Sequence, residues 1–258
     1  MRHSRLALGA VGVAGAVAVA ELVVRTGLVD AEAVPPASTV LRRAAEMSVD
    51  GAYLAQVGQT VRVWFGGLLL ATAAAVLLGL VLSSAPWLNR AARLVVEVLR
   101  PIPALALIPL ALVSFSSQSQ GRTALVFYAC TWPILINTLY ALRDVDPVAK
   151  ETLRSFGFGK VAVLLRVSLP SSAPFVATGV RIAASVGLVV VVSTELIAGG
   201  ADGVGGFLSQ SQTGGGQPDY MLAGAVWAGL LGLVVNAVLT ALERRAFRWH
   251  LAGTEAAT

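Results

Sequence analysis

Six apolar stretches of roughly 20 residues govern what this chain can fold into, because 20 residues wound as a helix rise about 30 Å, the thickness of a bilayer's hydrocarbon core. They lie near residues 5–24, 63–82, 98–115, 123–142, 174–197 and 220–242 of the 258. The sequence therefore predicts an all-α membrane protein with six transmembrane helices. Composition agrees: 13% of residues are charged, against about 25% in soluble domains, and mean hydropathy is +0.77. The third stretch is interrupted by Pro101, Pro103 and Pro109. It is expected as a kinked helix whose freed carbonyls are satisfied inside a bundle.

Charge sets orientation. With both termini inside, thirteen of the nineteen Lys and Arg fall on the cytoplasmic side: Arg2 and Arg5; Arg90, Arg93 and Arg100; Arg143, Lys150, Arg154, Lys160 and Arg166; Arg244, Arg245 and Arg248. Cationic loops are retained on that side, so the N-in, C-in arrangement follows. The excess of basic residues calls for a membrane surface here, not for nucleic acid. RHSR followed by an alanine- and glycine-rich run also fits a cleaved signal peptide. The apolar run continues past the small residues to Val24, which favours a retained first helix. One cysteine, Cys130, excludes an internal disulfide framework, and His3 and His250 alone make no zinc cluster. Cys130 is expected as a small core residue.

The segment 146–170, DPVAKETLRSFGFGKVAVLLRVSLP, connects the fourth and fifth spans on the cytoplasmic side. Asp146 can cap free backbone N–H groups and Pro147 suits the first helical position, so a short helix is expected over 147–156. Gly157 offers the left-handed conformation that ends it, and Pro170 is expected to break the chain before the fifth span. An amphipathic helix resting among headgroups, with Lys150, Arg154, Lys160 and Arg166 near anionic lipid, is one explanation; a protein-docking helix is another. A phosphate-binding loop at GFGK is excluded, since Arg154 and Val161 stand where that pattern needs Gly and Ser or Thr.

The spacing of Glu151, Gly157, Val167, Leu169 and Pro170, with Thr152 and Leu153 in place of two alanines, resembles the EAA loop of bacterial ATP-binding-cassette importer permeases. TVRVWFGGLLLATAAAVLLGLVLS, LRPIPALALIPLALVSF, WPILINTLYALRDVDP and GVRIAASVGLVVVVSTELI resemble spans two to five of the taurine, aliphatic sulfonate and nitrate branch. VPPASTVLRRAAEM resembles its extracytoplasmic segment, whereas SSQSQGR after Phe115 replaces the branch's usual glycine-containing turn. The resemblance implies a MetI-like type I importer permease fold with a cytoplasmic coupling helix. It implies that Asp146, Pro147, Glu151, Thr152, Leu153, Gly157, Leu169 and Pro170 couple the chain to separate ATPase subunits. The implied partners are cytoplasmic ATPase subunits carrying ATP and Mg, an extracytoplasmic substrate-binding protein, a second permease subunit and membrane lipid, with no cofactor on this chain. The implied location is the bacterial cytoplasmic membrane and the implied role is non-catalytic.

Arg181 and Glu195 are the candidate pathway or gate residues, since charge within a span usually faces water or a partner. Fourteen residues put them about 21 Å apart along one helix, too far to pair. The alternative is a snorkelling Arg181 and an exposed or paired Glu195. The glycine-rich segment 199–219 is expected as a flexible connector, and Gly66, Gly67 and Gly79 as sites of close helix packing. An ion-gradient transporter is the rival class; it calls for repeated halves with carboxylates at the midplane, a pattern not visible here.

Overall fold

Long apolar runs free of strand-like alternation wind into helices, and helices are the elements found. The computed structural model describes residues 2–198, 202–213 and 217–247. Arg248, His250 and residues 199–201 and 214–216 of the glycine-rich segment lie outside the described residues. In chain order the helices are α1 (Arg2–Arg25), α2 (Ala37–Met47), α3 (Gly51–Ser83), α4 (Pro86–Leu99), α5 (Ile108–Ser114), α6 (Gln118–Asp144), α7 (Pro147–Ser155), α8 (Lys160–Val163), α9 (Leu169–Ala198), α10 (Val204–Thr213) and α11 (Pro218–Ala246). A 3₁₀ turn, Ala104–Leu107, precedes α5, and a π-helical turn, Leu164–Ser168, joins α8 to α9.

Among the described residues, Gly51–Ser83, Gln118–Asp144, Lys160–Ala198 and Pro218–Ala246 are helical and apolar enough to cross a membrane. A fifth span results if Pro86–Leu99 and Ala104–Ser114 are taken together. α1, 24 residues long, has the length needed for the expected first span. Residues 98–115 are not a single kinked helix: α4 ends at Leu99, and the two arms differ in direction by 77°. Pro101 and Pro103 stand in the break, where each removes a backbone donor, and the Tyr128 hydroxyl donates to the Leu99 carbonyl at 2.7 Å.

The chain divides into two compact units. The first comprises Met1–Thr60 and Glu195–Leu230. There α2 buries Val40, Ala44 and Met47, one stripe at helical spacing, together with Tyr53 and Ala223. The Tyr53 ring meets Phe207 and Trp227 edge-on at 5.0 and 5.8 Å, and the Trp227 indole N–H donates to the Ala44 carbonyl at 2.9 Å. Arg43 pairs with Asp219 at 2.9 Å and lies over the Tyr220 ring at 4.2 Å. Its hydrogen bond to Asp219 raises the guanidinium's pKa above its ordinary value.

The second unit, Val61–Thr194 and Leu231–Thr258, has its core where α3, α5, α6 and α9 meet. Cys130 is fully buried, as expected, and its thiol donates to the Ala183 carbonyl. A Cβ on Gly67 would lie 2.6 Å from Val126, and one on Gly79 would lie 2.5 Å from Thr138, so both mark close helix contacts. Gly66 does not: the space around it is open. Phe65, Leu69, Leu77, Ile182, Val189 and Leu233 are exposed along the outer faces of the long helices. That apolar surface suits hydrocarbon.

Candidate functional site

α6 ends at Asp144, and α7 starts three residues on, at Pro147, with Asp146 as its cap, as the sequence dictates. The Asp146 carboxylate accepts from the Val148 N–H at 2.8 Å, and Pro147 occupies the first turn, where its missing donor is harmless. At the other end Gly157 has φ +82°; its N–H donates to the Arg154 carbonyl at 2.9 Å and the Phe158 N–H to the Leu153 carbonyl at 3.2 Å. This pair of bonds is the Schellman arrangement, which satisfies carbonyls that the helix end would leave free. Thus both ends of a nine-residue helix are closed by its own residues.

No residue of α7 is buried. Val148 is 65% exposed and Phe156, just beyond, 77%, an apolar surface that water does not favour. Glu151 and Thr152 are exposed and Leu153 is half-buried. The inner side is tied down: Lys150 donates to the Leu142 carbonyl at 3.4 Å, and Arg166 lies over the Phe158 ring at 4.8 Å. Asp146→Ala should cost α7 about 1 kcal/mol of local stability. Backbone amide exchange within α7 should then quicken roughly five-fold while exchange in α6 is unchanged.

Leu169 and Pro170 begin α9 rather than a new segment. The expected break at Pro170 is absent: Lys160–Ala198 runs as 39 continuous helical residues. The π-helical turn at Leu164–Ser168 explains this, because its wider winding accommodates the ring that an α-helical turn would press against the carbonyl four residues back.

Arg181 and Glu195 occupy different surroundings. Arg181 pairs with Glu243 of α11 at 3.4 Å, and the Thr178 hydroxyl donates to the same carboxylate at 2.9 Å. Glu195 is not exposed; it is fully buried. Its carboxylate accepts from the Thr60 hydroxyl at 2.9 Å and from the Gly205 N–H, in the first turn of α10, at 3.1 Å. The Val204 N–H donates to Thr60 Oγ1 at 2.9 Å and the Gly203 N–H to Gln56 Oε1 at 2.6 Å. A carboxylate at a helix N-terminus meets unpaired N–H groups and the positive end of the dipole.

Hence residues 204–213 are a helix, not the flexible connector expected there. Thr60 and Gly205 were not legible as partners of Glu195, nor Gln56 as a partner of Gly203; the available signal was an acidic residue close to DGVGG, a run able to present several amides. Among the described residues, no three His, Cys, Asp or Glu side chains gather as a metal site would require.

The family model "Binding-protein-dependent transport system inner membrane component" matches residues 67–248, well over half of the chain. The chain belongs to this family. Its relatives include the nitrate import permease protein NrtB of Leptolyngbya laminosa, 28% identical over 179 residues that cover 69% of this chain and 63% of that protein. The taurine transport system permease protein TauC of Escherichia coli K12 is 32% identical over 187 residues, 71% of this chain and 67% of that one. In fold, this transport component is similar to a chain of the inward-facing MetNI methionine ABC transporter, with a TM-score of 0.64 at 18% identity, covering 74% of this chain and 94% of that chain. It is a multi-pass membrane protein with the MetI-type importer permease fold.

Proposed function

We propose that this chain is the permease subunit of an ATP-driven importer for a small anion such as a sulfonate or nitrate. The observation that carries the proposal is α7: an exposed helix closed by its own residues at both ends, with Glu151, Gly157, Leu169 and Pro170 at EAA-loop spacing. Family membership and the names of NrtB and TauC support the transport role and the substrate class. Six spans cross the bacterial cytoplasmic membrane with both termini inside, α1 being the first and the bent α4–α5 pair the third. Two permease subunits, identical or related, line the path, and a substrate-binding protein delivers the solute from outside. ATP and Mg bind to two cytoplasmic ATPase subunits, and this chain performs no catalysis.

The coupling step follows from α7's construction. Its outward face, with Val148, Glu151, Thr152 and Ser155, docks against the ATPase, while its inner face rests on the ends of the membrane helices. When ATP draws two ATPase subunits together, each α7 moves with its ATPase, and the 39-residue helix from Lys160 carries the motion into the bundle as a rigid-body rotation. Arg181 and Glu195 act as gate-side anchors, each holding α9 through a carboxylate contact.

Reconstituted with its ATPase and binding protein, the complex should hydrolyse ATP faster when loaded binding protein is added. Glu151→Lys should reduce that stimulation about tenfold or more, since it reverses a charge at a docking surface. Full stimulation in the variant would rule out α7 as the ATPase contact. Uptake driven by a proton or sodium gradient without any ATPase would replace this function with an ion-coupled one.

A further inference from the structure

Behind α7 lies a groove of about 300 Å³ whose polar lining is Lys150 and Arg154 of α7, Lys160 at the start of α8, and Ser83, Ser84 and Ser168. Leu80 and Leu164 are among its apolar walls. No Asp or Glu is among its lining residues. Among the described residues the three cations make no ion pair. Lys150 and Arg154 are also one helical turn apart, where like charges destabilise an isolated helix. Three positive charges beside serine hydroxyls, with no acid among them, suit an anion.

We infer that this groove binds a phosphate-bearing anion, with the headgroup of an anionic membrane phospholipid as its source. The chemistry fits in three respects. A phosphodiester accepts charge-assisted hydrogen bonds from ammonium and guanidinium groups, and it removes the repulsion between Lys150 and Arg154. Basic pockets at the ends of membrane helices take such headgroups. The groove adjoins exposed apolar residues, Val161 at 69% and Leu165 at 57%, along which acyl chains can lie. Lipid bound here holds the cationic side of α7 against α3 and α6, leaving Val148, Glu151 and Thr152 turned away from it.

The test uses the full chain, purified in detergent with phosphatidylglycerol or phosphatidylcholine and examined by native mass spectrometry. Phosphatidylglycerol should be retained by the natural chain in preference to phosphatidylcholine. The triple variant Lys150→Gln, Arg154→Gln, Lys160→Gln should lose affinity on the order of 100-fold. Arg244→Gln with Arg245→Gln, which removes two charges outside the groove, should keep it. Should the triple variant fold poorly, Lys150→Arg with Lys160→Arg must retain the lipid and Lys150→Gln alone must weaken it.

A parallel arm measures labelled inorganic phosphate by equilibrium dialysis. Phosphate binding that needs the three cations, without lipid retention, keeps the site and transfers its source to the soluble phase. Retention of both probes independent of the three cations, or of neither by the natural chain, overturns the inference. No ATPase or binding protein is required, so failure here leaves the coupling role of α7 standing.

Discussion

Gly203→Ala is expected to lower the thermal stability of the detergent-purified chain by on the order of 3 kcal/mol, a large part of the 5–15 kcal/mol typical of folded domains. Two costs combine at this position. Gly203 has φ +113°, which side chains rarely adopt, and a Cβ built there lies 2.3 Å from the Glu195 carboxylate. Among the described glycines only Gly203 joins a positive φ to an obstruction; the space around Gly27 and Gly157 is open. Relieving the clash displaces a buried carboxylate from the Thr60 hydroxyl and the Gly205 amide, and losing donors to a buried charge is costly.

The midpoint of thermal unfolding should fall by roughly 10 °C. Glu195→Ala removes the obstruction but not the backbone strain, so the double variant should be less destabilised than the two single changes added together. Additive effects, or a Gly203→Ala protein as stable as the natural one, would show that α10 does not begin on Glu195.

What the sequence disclosed divides along the range of the interactions involved. The caps of α7 were legible because Asp146, Pro147 and Gly157 act on residues within a few positions of themselves. The same holds for the triple-proline region, where a departure from a straight helix was expected, though not a bend of 77°. Pro170 misled because a proline breaks a helix only if the preceding turn stays α-helical, and here Leu164–Ser168 widens instead. Glycine content in 199–219 read as a flexible connector, yet α10 forms there because Thr60 and Glu195, distant or upstream in the chain, receive its first N–H groups. Adjacent Gly66 and Gly67 look alike in sequence; only the direction each faces separates the open position from the helix contact.

Gly157→Val is expected to abolish most of the ATPase stimulation by loaded binding protein while leaving the membrane core folded. The effect arises in the backbone alone, because nothing lies within 4 Å of the Cβ that valine would add. At φ +82° a β-branched residue is strongly disfavoured, so the chain rotates out of the left-handed region and the bonds from Gly157 to Arg154 and from Phe158 to Leu153 are lost. α7 then leaves its helix end at a different angle from α8. Since α7 buries no residue, the unfolding midpoint should move by no more than about 2 °C, in line with an exposed substitution. Asparagine tolerates the left-handed region far better, so Gly157→Asn should retain much of the stimulation. This graded pair separates geometry from mere contact: both variants keep the outward residues Val148, Glu151 and Thr152, and only valine changes how the helix is aimed. Equal stimulation in the two would mean that α7 transmits force without a fixed angle to α8, and the left-handed turn at Gly157 would have no part in coupling.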